Sequence, residues 1–296
     1  MTLSEDPPLP EFIEHHIPRA AGHVYVRDFA NKGPAFVLLH GFPDDAHIYD
    51  LLIPRLVSAG RRVVAVDFLG FGASDKPEGA QYSFRQQLGD IETVVEALGL
   101  ELVIPVGHDA GGPAAVNFAL NHPTRTSKVV LMNAFYGSSP GLRVPELIEL
   151  FSNRELRALA QHFLQSPLQF AWLIDFQRNL LQAGLSDEQK VHYFDFLGPI
   201  IDNNFRQQPS AASAFAQMTS QLHEEVAANT ARLVEFRRSD IPLLLIWGKA
   251  DPYLHLSVAQ HMHSQARNAS LHALDAGHWP QIDAADEVAQ LMLEAR

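Results

Sequence analysis

Leu102-Val103-Ile104-Pro105-Val106, followed directly by Gly107-His108-Asp109-Ala110-Gly111-Gly112, is the stretch on which the fold turns. An apolar run of strand character meets a glycine-rich bend, and a helical pattern continues from Pro113 to Asn121. A side chain at the tip of so sharp a strand-to-helix turn needs neighbours without bulk, and Gly107, Gly111 and Gly112 supply them. Asp109 stands at the tip. It has two readings: a cap for the helix that follows, since Asp is a favoured N-cap, or a chemical group presented above a sheet. The G-x-G-x-x-G spacing of a dinucleotide loop is absent, so that use of the glycines is set aside.

The same grammar extends outward. Ala35–Leu39, Arg62–Val66 and Val129–Met132 repeat the buried-strand pattern. Tyr49–Ala59 and Phe84–Leu98 read as helices, with Gly60 and Gly99 where C-cap glycines belong. Continuous apolar strands alternating with helices predict an α/β fold with a doubly wound, mostly parallel sheet covered on both faces. From Tyr136 to Ala214 no strand-like run occurs, only Leu-, Phe- and Gln-rich helical segments broken by prolines. Leu243–Trp247 then restores the strand pattern, Ser257–Ala266 is helical, Leu271–Leu274 is a short strand and Ala284–Glu294 a closing helix. The expectation is a core formed by residues 1–135 and 215–296, with residues 136–214 inserted as a helical cap.

Composition narrows the function. The chain has 296 residues, 47% of them hydrophobic, enough for one large core without staples. It has no cysteine, which excludes a disulfide framework and Cys-ligated metals. Its 34 acidic residues outnumber 22 basic ones, giving −12, which argues against nucleic acid and an anionic membrane surface as partners. No apolar run reaches the ~20 residues of a membrane span. Met1–Pro10 is acidic and proline-rich, without the basic and apolar regions of a signal peptide. A cytoplasmic protein, monomer or dimer, is expected.

Three further motifs follow strand ends. His40-Gly41-Phe42-Pro43 follows the Ala35–Leu39 strand, Gly248-Lys249-Ala250-Asp251-Pro252 follows Leu243–Trp247, and Gly277-His278-Trp279-Pro280 follows Leu271–Leu274. Open α/β sheets place their sites at these strand ends. Nucleophile, then acid, then histidine is the chain order of one hydrolase fold, and three such residues after three strands make Asp109, Asp251 and His278 a candidate triad. The backbone N–H groups of Phe42 and Ala110 are the candidate oxyanion donors. His40 reads as a structural residue of a fixed turn. Asp44 and Asp45 read as caps for the helix near Tyr49. His261 and His263 lie two apart on a helix, so no metal site is expected.

With HGFPD, DFLGFGASDKP, GHDAGG, GKADP and GHWP, the chain resembles the aspartate-nucleophile branch of the α/β-hydrolase superfamily, which holds epoxide hydrolases and haloalkane and haloacetate dehalogenases. The resemblance implies the α/β-hydrolase fold, the helical cap over the site and a cis Phe42–Pro43 bond.

An aspartate at the tip changes the chemistry. With a reference pKa near ~3.9 it is already an anion at neutral pH and needs no base to attack. Attack on a carboxylic ester would yield a mixed anhydride, whereas attack on a saturated carbon bearing a leaving group yields a stable alkyl ester. His278 would then activate water against that ester, with Asp251 fixing the imidazole. Neither a cofactor nor a metal is required; the partners are a small apolar organic substrate and water. The leaving group separates the alternatives. An alkoxide needs an acid donor, and relatives that open epoxides use cap tyrosines; Tyr136, Tyr193 and His162 are the candidates here, with Trp172 as a pocket residue. A halide wants N–H donors, yet Ala110 stands where many relatives have Trp. Haloacetate dehalogenases resemble GHDRGxR, and Ala110 and Pro113 replace both arginines. Epoxide hydrolysis is therefore the first expectation, carbon–halogen hydrolysis the alternative, and a non-catalytic ligand-binding member of the fold the reading from another class.

Overall fold

The structure, a computed structural model, describes residues 7–294; the acidic segment 1–6, part of the stretch without signal-peptide character, lies outside them. Eight strands form one sheet in the order β1-β2-β4-β3-β5-β6-β7-β8: β1 Ile13–Arg19, β2 Gly22–Phe29, β3 Lys32–Leu39, β4 Arg61–Asp67, β5 Val103–Asp109, β6 Val129–Ala134, β7 Leu243–Gly248 and β8 Ala269–Leu274. From β4 to β8 all neighbours are parallel, and β1 and β2 add an antiparallel edge. The α/β expectation holds. The sequence reading found β3 to β8 and missed β1 and β2: β1 is largely exposed and carries Pro18 and charged residues at the sheet edge, and β2 buries the charged Arg27 and Asp28, which break its apolar run.

The central strands are apolar on both faces because helices cover both faces. Val37, Leu38, Val64, Ala65, Val106, Leu131 and Leu245 have no measurable exposure. The helix Phe84–Ala97 starts at Ser83, whose side chain accepts from the Gln86 N–H at 3.1 Å. Gly60 and Gly99 adopt φ of 76° and 58°, the left-handed geometry of a C-terminal glycine.

Between β6 and β7 every regular element among the described residues is helical, from Glu146–Ser152 to Leu222–Arg238. The boundary expected between residues 214 and 215 falls within the helix Ala212–Ser220, so the chain has no break there. Asn204, fully buried on the helix Gly198–Arg206, ties this insertion to the sheet: its side chain accepts from the Gly72 N–H (2.8 Å) and donates to the Pro43 carbonyl (3.1 Å) and Asp45 (3.2 Å). Among the described residues no helix is long and apolar enough to cross a membrane.

The chain leaves β3 toward β4 on one side and returns to β5 on the other. That reversal opens a crevice at the carboxyl ends of β3 and β5, where open α/β sheets bind ligands.

Candidate active site

Asp109 ends β5 with φ 46°, in the left-handed region that non-glycine residues rarely enter. The bend closes only because its neighbours lack side chains. A Cβ on Gly107 would stand 2.8 Å from the Gly111 carbonyl oxygen, one on Gly111 2.4 Å from that of Leu39, and one on Gly41 2.5 Å from Asp109 Oδ2. Asp109 does not cap the next helix: Ala110 occupies the N-cap position of Gly111–Asn121, and no side chain caps it. Its carboxyl instead accepts hydrogen bonds from the backbone N–H groups of Ala110 and Phe42. Burial raises its pKa, while the charge of His278 and these two N–H groups pull it back. The Phe42–Pro43 bond beside it is cis.

His278, in the loop after β8, stands with Nε2 4.0 Å from Asp109 Oδ1 and Nδ1 2.6 Å from Asp251 Oδ2. Asp251 is buried yet well supplied with donors: Asn133 Nδ2 (2.8 Å) and the N–H groups of Tyr253 (2.9 Å) and Leu254 (3.0 Å). Burial opposes its charge, but His278 and these donors hold the carboxyl below its usual value. Burial likewise disfavours a charged imidazole, and the carboxylates of Asp251 and Asp109 outweigh it, lifting His278 to about 9. These shifts favour an imidazolium paired with the Asp251 carboxylate. The three candidate triad residues, from the ends of β5, β7 and β8, thus meet in one place.

One buried group behind the triad was misjudged from sequence. Asp45 does cap the short helix Ala46–Tyr49, accepting from the His47 N–H at 2.9 Å, but Asp44 does not. Asp44 turns inward and accepts from Trp279 Nε1 at 2.8 Å, and its Oδ2 lies 3.8 Å from His108 Nδ1. Its Oδ1 is buried without a protein partner. Burial lifts its carboxyl to about 7; the Trp279 N–H and His278 lower it, and the charge of Asp109 raises it. His108 approaches the His278 carbonyl oxygen with Nε2 at 2.8 Å. The available signal was an acid directly after the oxyanion loop paired with a tryptophan directly after the histidine. His40 is structural, as expected: it is fully buried, contacts the Gly41 carbonyl, and accepts from the Phe68 N–H at 3.1 Å. Asp67 holds two loops through the N–H groups of Ala46 and Ala73, each at 2.8 Å.

Asp109, Phe42, His278 and Trp279 line a mainly apolar cavity of about 130 Å³ roofed by the insertion. The leaving-group and pocket candidates named from sequence do not line it. Trp172 is 61% exposed and stacks on Phe176 at 5.6 Å, and His162 lies beside it on an outer face with Leu159 and Leu168. The reason is helical phase: on Pro167–Leu181 the buried positions are Phe170, Leu173, Ile174, Gln177 and Leu181, and Trp172 falls opposite them. Tyr136 is buried elsewhere, its hydroxyl donating to Asn117 Oδ1 at 3.0 Å. Tyr193 packs edge-on against Trp279 at 5.2 Å, behind the loop that carries His278 rather than in the cavity. The polar side chains that do reach the cavity wall include Tyr253 and Gln177, which the sequence did not single out. Among the described residues no three His, Asp or Glu side chains converge as a metal site.

A family model described as alpha/beta hydrolase fold matches residues 34–285. The chain is 28% identical over 285 residues to the bifunctional epoxide hydrolase 2 of Sus scrofa, covering 89% of this chain and 51% of that one. It is 43% identical over 100 residues to epoxide hydrolase B of Mycobacterium tuberculosis, covering 33% of this chain and 28% of that one. This chain therefore matches about half the length of the first curated relative and less of the second. Haloalkane dehalogenase 2 of Mycobacterium bovis is 28% identical over 311 residues, covering 99% of this chain and 98% of that one. Among solved structures, a 2-hydroxy-6-oxo-6-phenylhexa-2,4-dienoate hydrolase from Rhodococcus sp. superposes with a TM-score of 0.76 at 22% identity, covering 96% of this chain and 98% of that one.

Proposed function

Because the chain belongs to the alpha/beta hydrolase fold family, we propose that it is a hydrolase that forms and then cleaves an ester on Asp109, and that its substrate is a small apolar epoxide. The observation that carries this is the tip of β5: a carboxylate, where an alcohol would need a base, held by two N–H groups at the floor of an apolar cavity. In the first step Asp109 attacks a saturated ring carbon and the C–O bond breaks. In the second, His278 takes a proton from water, which adds to the carbonyl carbon of the ester, and the oxyanion forms against the N–H groups of Phe42 and Ala110.

The electrostatics time the two steps. While Asp109 is charged it helps lift His278 to about 9, and His278 is no base at neutral pH. Alkylation removes that negative charge, the imidazole pKa falls, and the base appears when it is needed. Asp251 retains the tautomer through its 2.6 Å bond. Asp44, with one oxygen free of protein partners, is the acceptor for the hydrolytic water behind His278. The helical insertion acts as the cap that keeps other water out. A cavity of about 130 Å³ suits a small substrate; a dry protein cavity of roughly 150 Å³ takes benzene.

Carbon–halogen hydrolysis by the same two steps is the second reading, favoured by the match over nearly the full length of a haloalkane dehalogenase. The test is His278→Gln incubated with styrene oxide or a bromoalkane. Retained mass of the alkyl group on Asp109 is expected, and the substrate that leaves it identifies the class. Asp109→Ala should yield no product; turnover by that variant, or an unmodified His278→Gln protein under saturating substrate, refutes the mechanism.

A further inference from the structure

Opening an epoxide leaves an oxygen to be protonated, and the three side chains expected for that task, Tyr136, Tyr193 and His162, do not line the cavity. We propose that Tyr253, assisted by Gln177, donates the proton to the leaving oxygen, which makes this a site for strained cyclic ethers rather than organohalides. The proposal rests on Asp109 being the nucleophile.

Tyr253 comes from the core loop that also carries Asp251, and Gln177 from the helix Pro167–Leu181 of the insertion; both line the cavity that Asp109 lines. They are 2% and 5% exposed. Gln177 Nε2 donates to the Tyr253 hydroxyl oxygen at 2.7 Å, and that hydroxyl donates to the Glu146 carboxylate. Both residues are fixed. Gln177 Oε1 accepts from the Leu147 N–H at 2.9 Å, and the Tyr253 N–H donates to Asp251 at 2.9 Å while its carbonyl accepts from the Arg143 N–H at 3.3 Å. The Gln177 amide also donates to the Glu146 carboxylate, so it bridges that carboxylate and the Tyr253 hydroxyl. Among the other donors of the wall, Trp279 donates to Asp44 (2.8 Å), Arg143 to Glu146 (2.8 Å), and Arg178 to Asp175 (2.9 Å) and Asp202 (3.1 Å), while His223 is turned to the exposed side, 3.9 Å from Glu149.

The bookkeeping of protons closes. Asp109 forms a bond to the ring carbon, the C–O electron pair passes to oxygen, and that oxygen takes the Tyr253 proton. The tyrosinate keeps the Gln177 N–H and the Arg143 guanidinium, 5.0 Å over its ring. The proton that His278 gives up once Asp109 is alkylated goes to the tyrosinate, and the proton it then takes from water restores the imidazolium. The proton left on the newly added hydroxyl goes to the departing alkoxide, so the sum is one water added across one C–O bond. Burial and Glu146 push the Tyr253 hydroxyl up to about 12, which still leaves it a stronger acid than the alcohol it would make. A halide gains nothing from this arrangement. It takes no proton, and the Glu146 carboxyl, held below its ordinary value by Tyr253 and Arg143 against the effect of burial, sets a negative charge on the very hydroxyl it would need.

Single-turnover mixing with styrene oxide, quenched and read by protein mass, separates ester formation from ester hydrolysis. Tyr253→Phe keeps the ring and is checked for folding by its melting temperature. It should slow ester formation by ~10²-fold or more while leaving ester hydrolysis within about threefold. Gln177→Leu should slow ester formation by roughly tenfold. Ester formation at the wild-type rate in Tyr253→Phe overturns the proposal. So does an equal slowing of both steps, which would make Tyr253 only a prop for Asp251. Should Tyr253→Phe fail to fold, an undiminished rate in Gln177→Leu overturns it. Absence of any ester on the wild-type protein is a different failure, that of Asp109 as nucleophile.

Discussion

Asp44 shows how much a single buried carboxyl can alter the pH behaviour of a protein. Its pKa rises from 3.8 to about 7, chiefly through burial. A carboxyl raised by folding costs nothing while both states are protonated. The folded state loses stability as pH climbs from the unfolded value through the folded one, and the full penalty stands above about 7. Asn at this position stays neutral and can still accept from Trp279. The melting temperature of Asp44→Asn, relative to wild type, should therefore move in the variant's favour by roughly 3–8 °C between pH 5 and pH 8. Parallel curves for the two proteins across that range would show that Asp44 is ionised in the fold at little cost. At the same scale, Asp109, Asp251 and His278 could be singled out in the sequence because each sits in a short motif after an apolar run. It hid Asp44 because an acid after a turn is more often a cap, and its neighbour Asp45 is one.

At the scale of elements, the seat of the insertion on the sheet deserves a test of its own. Asn204 reaches from the helix Gly198–Arg206 to Pro43, next to Phe42, the proposed oxyanion donor, and to Gly72 and Asp45. Asn204→Ala would leave a buried N–H and a carboxylate oxygen short of partners, a loss of about 1–3 kcal/mol. We expect a melting temperature lower by roughly 3–8 °C and ester formation on Asp109 slowed several-fold. A variant with reduced stability but an unchanged single-turnover rate would show that the insertion's seat does not govern the oxyanion loop. Elements also mark where sequence reading stops. Strands β3 to β7 were legible because their central residues are buried on both faces and apolar, whereas β8, half-buried at the sheet edge, was legible only as a short run before the Gly277-His278 motif. Helices of the insertion were legible as helices, but their rotation was not: Trp172 and Gln177 share one helix, and only packing decides which of them meets the cavity. Tyr253 escaped notice because its value depends on Gln177 and Glu146, distant in sequence.

For the whole molecule, the parallel core depends on an antiparallel border. The pairing of β2 with β4 covers an edge that would otherwise expose the backbone groups of Val63–Asp67, and Asp28 and Arg27 anchor it through Arg62 (2.7 Å) and Asp50 (2.8 Å). Deleting residues 1–30 should give a protein that aggregates and lacks a cooperative thermal transition. A soluble fragment that melts sharply would mean that the remaining six strands suffice.

The contact between His278 and Trp279 has an optical consequence. The chain has only three tryptophans. Trp247 is sealed in the core and Trp172 faces solvent, while the Trp279 indole stands 4.4 Å from the imidazole of His278 and edge-on to it. A protonated imidazole quenches indole emission, so if Asp109 is alkylated as proposed and His278 then loses its proton, the fluorophore beside it should brighten. With Trp172 replaced by Phe to remove the solvent-facing background, the light emitted by the protein itself becomes a clock for its turnover.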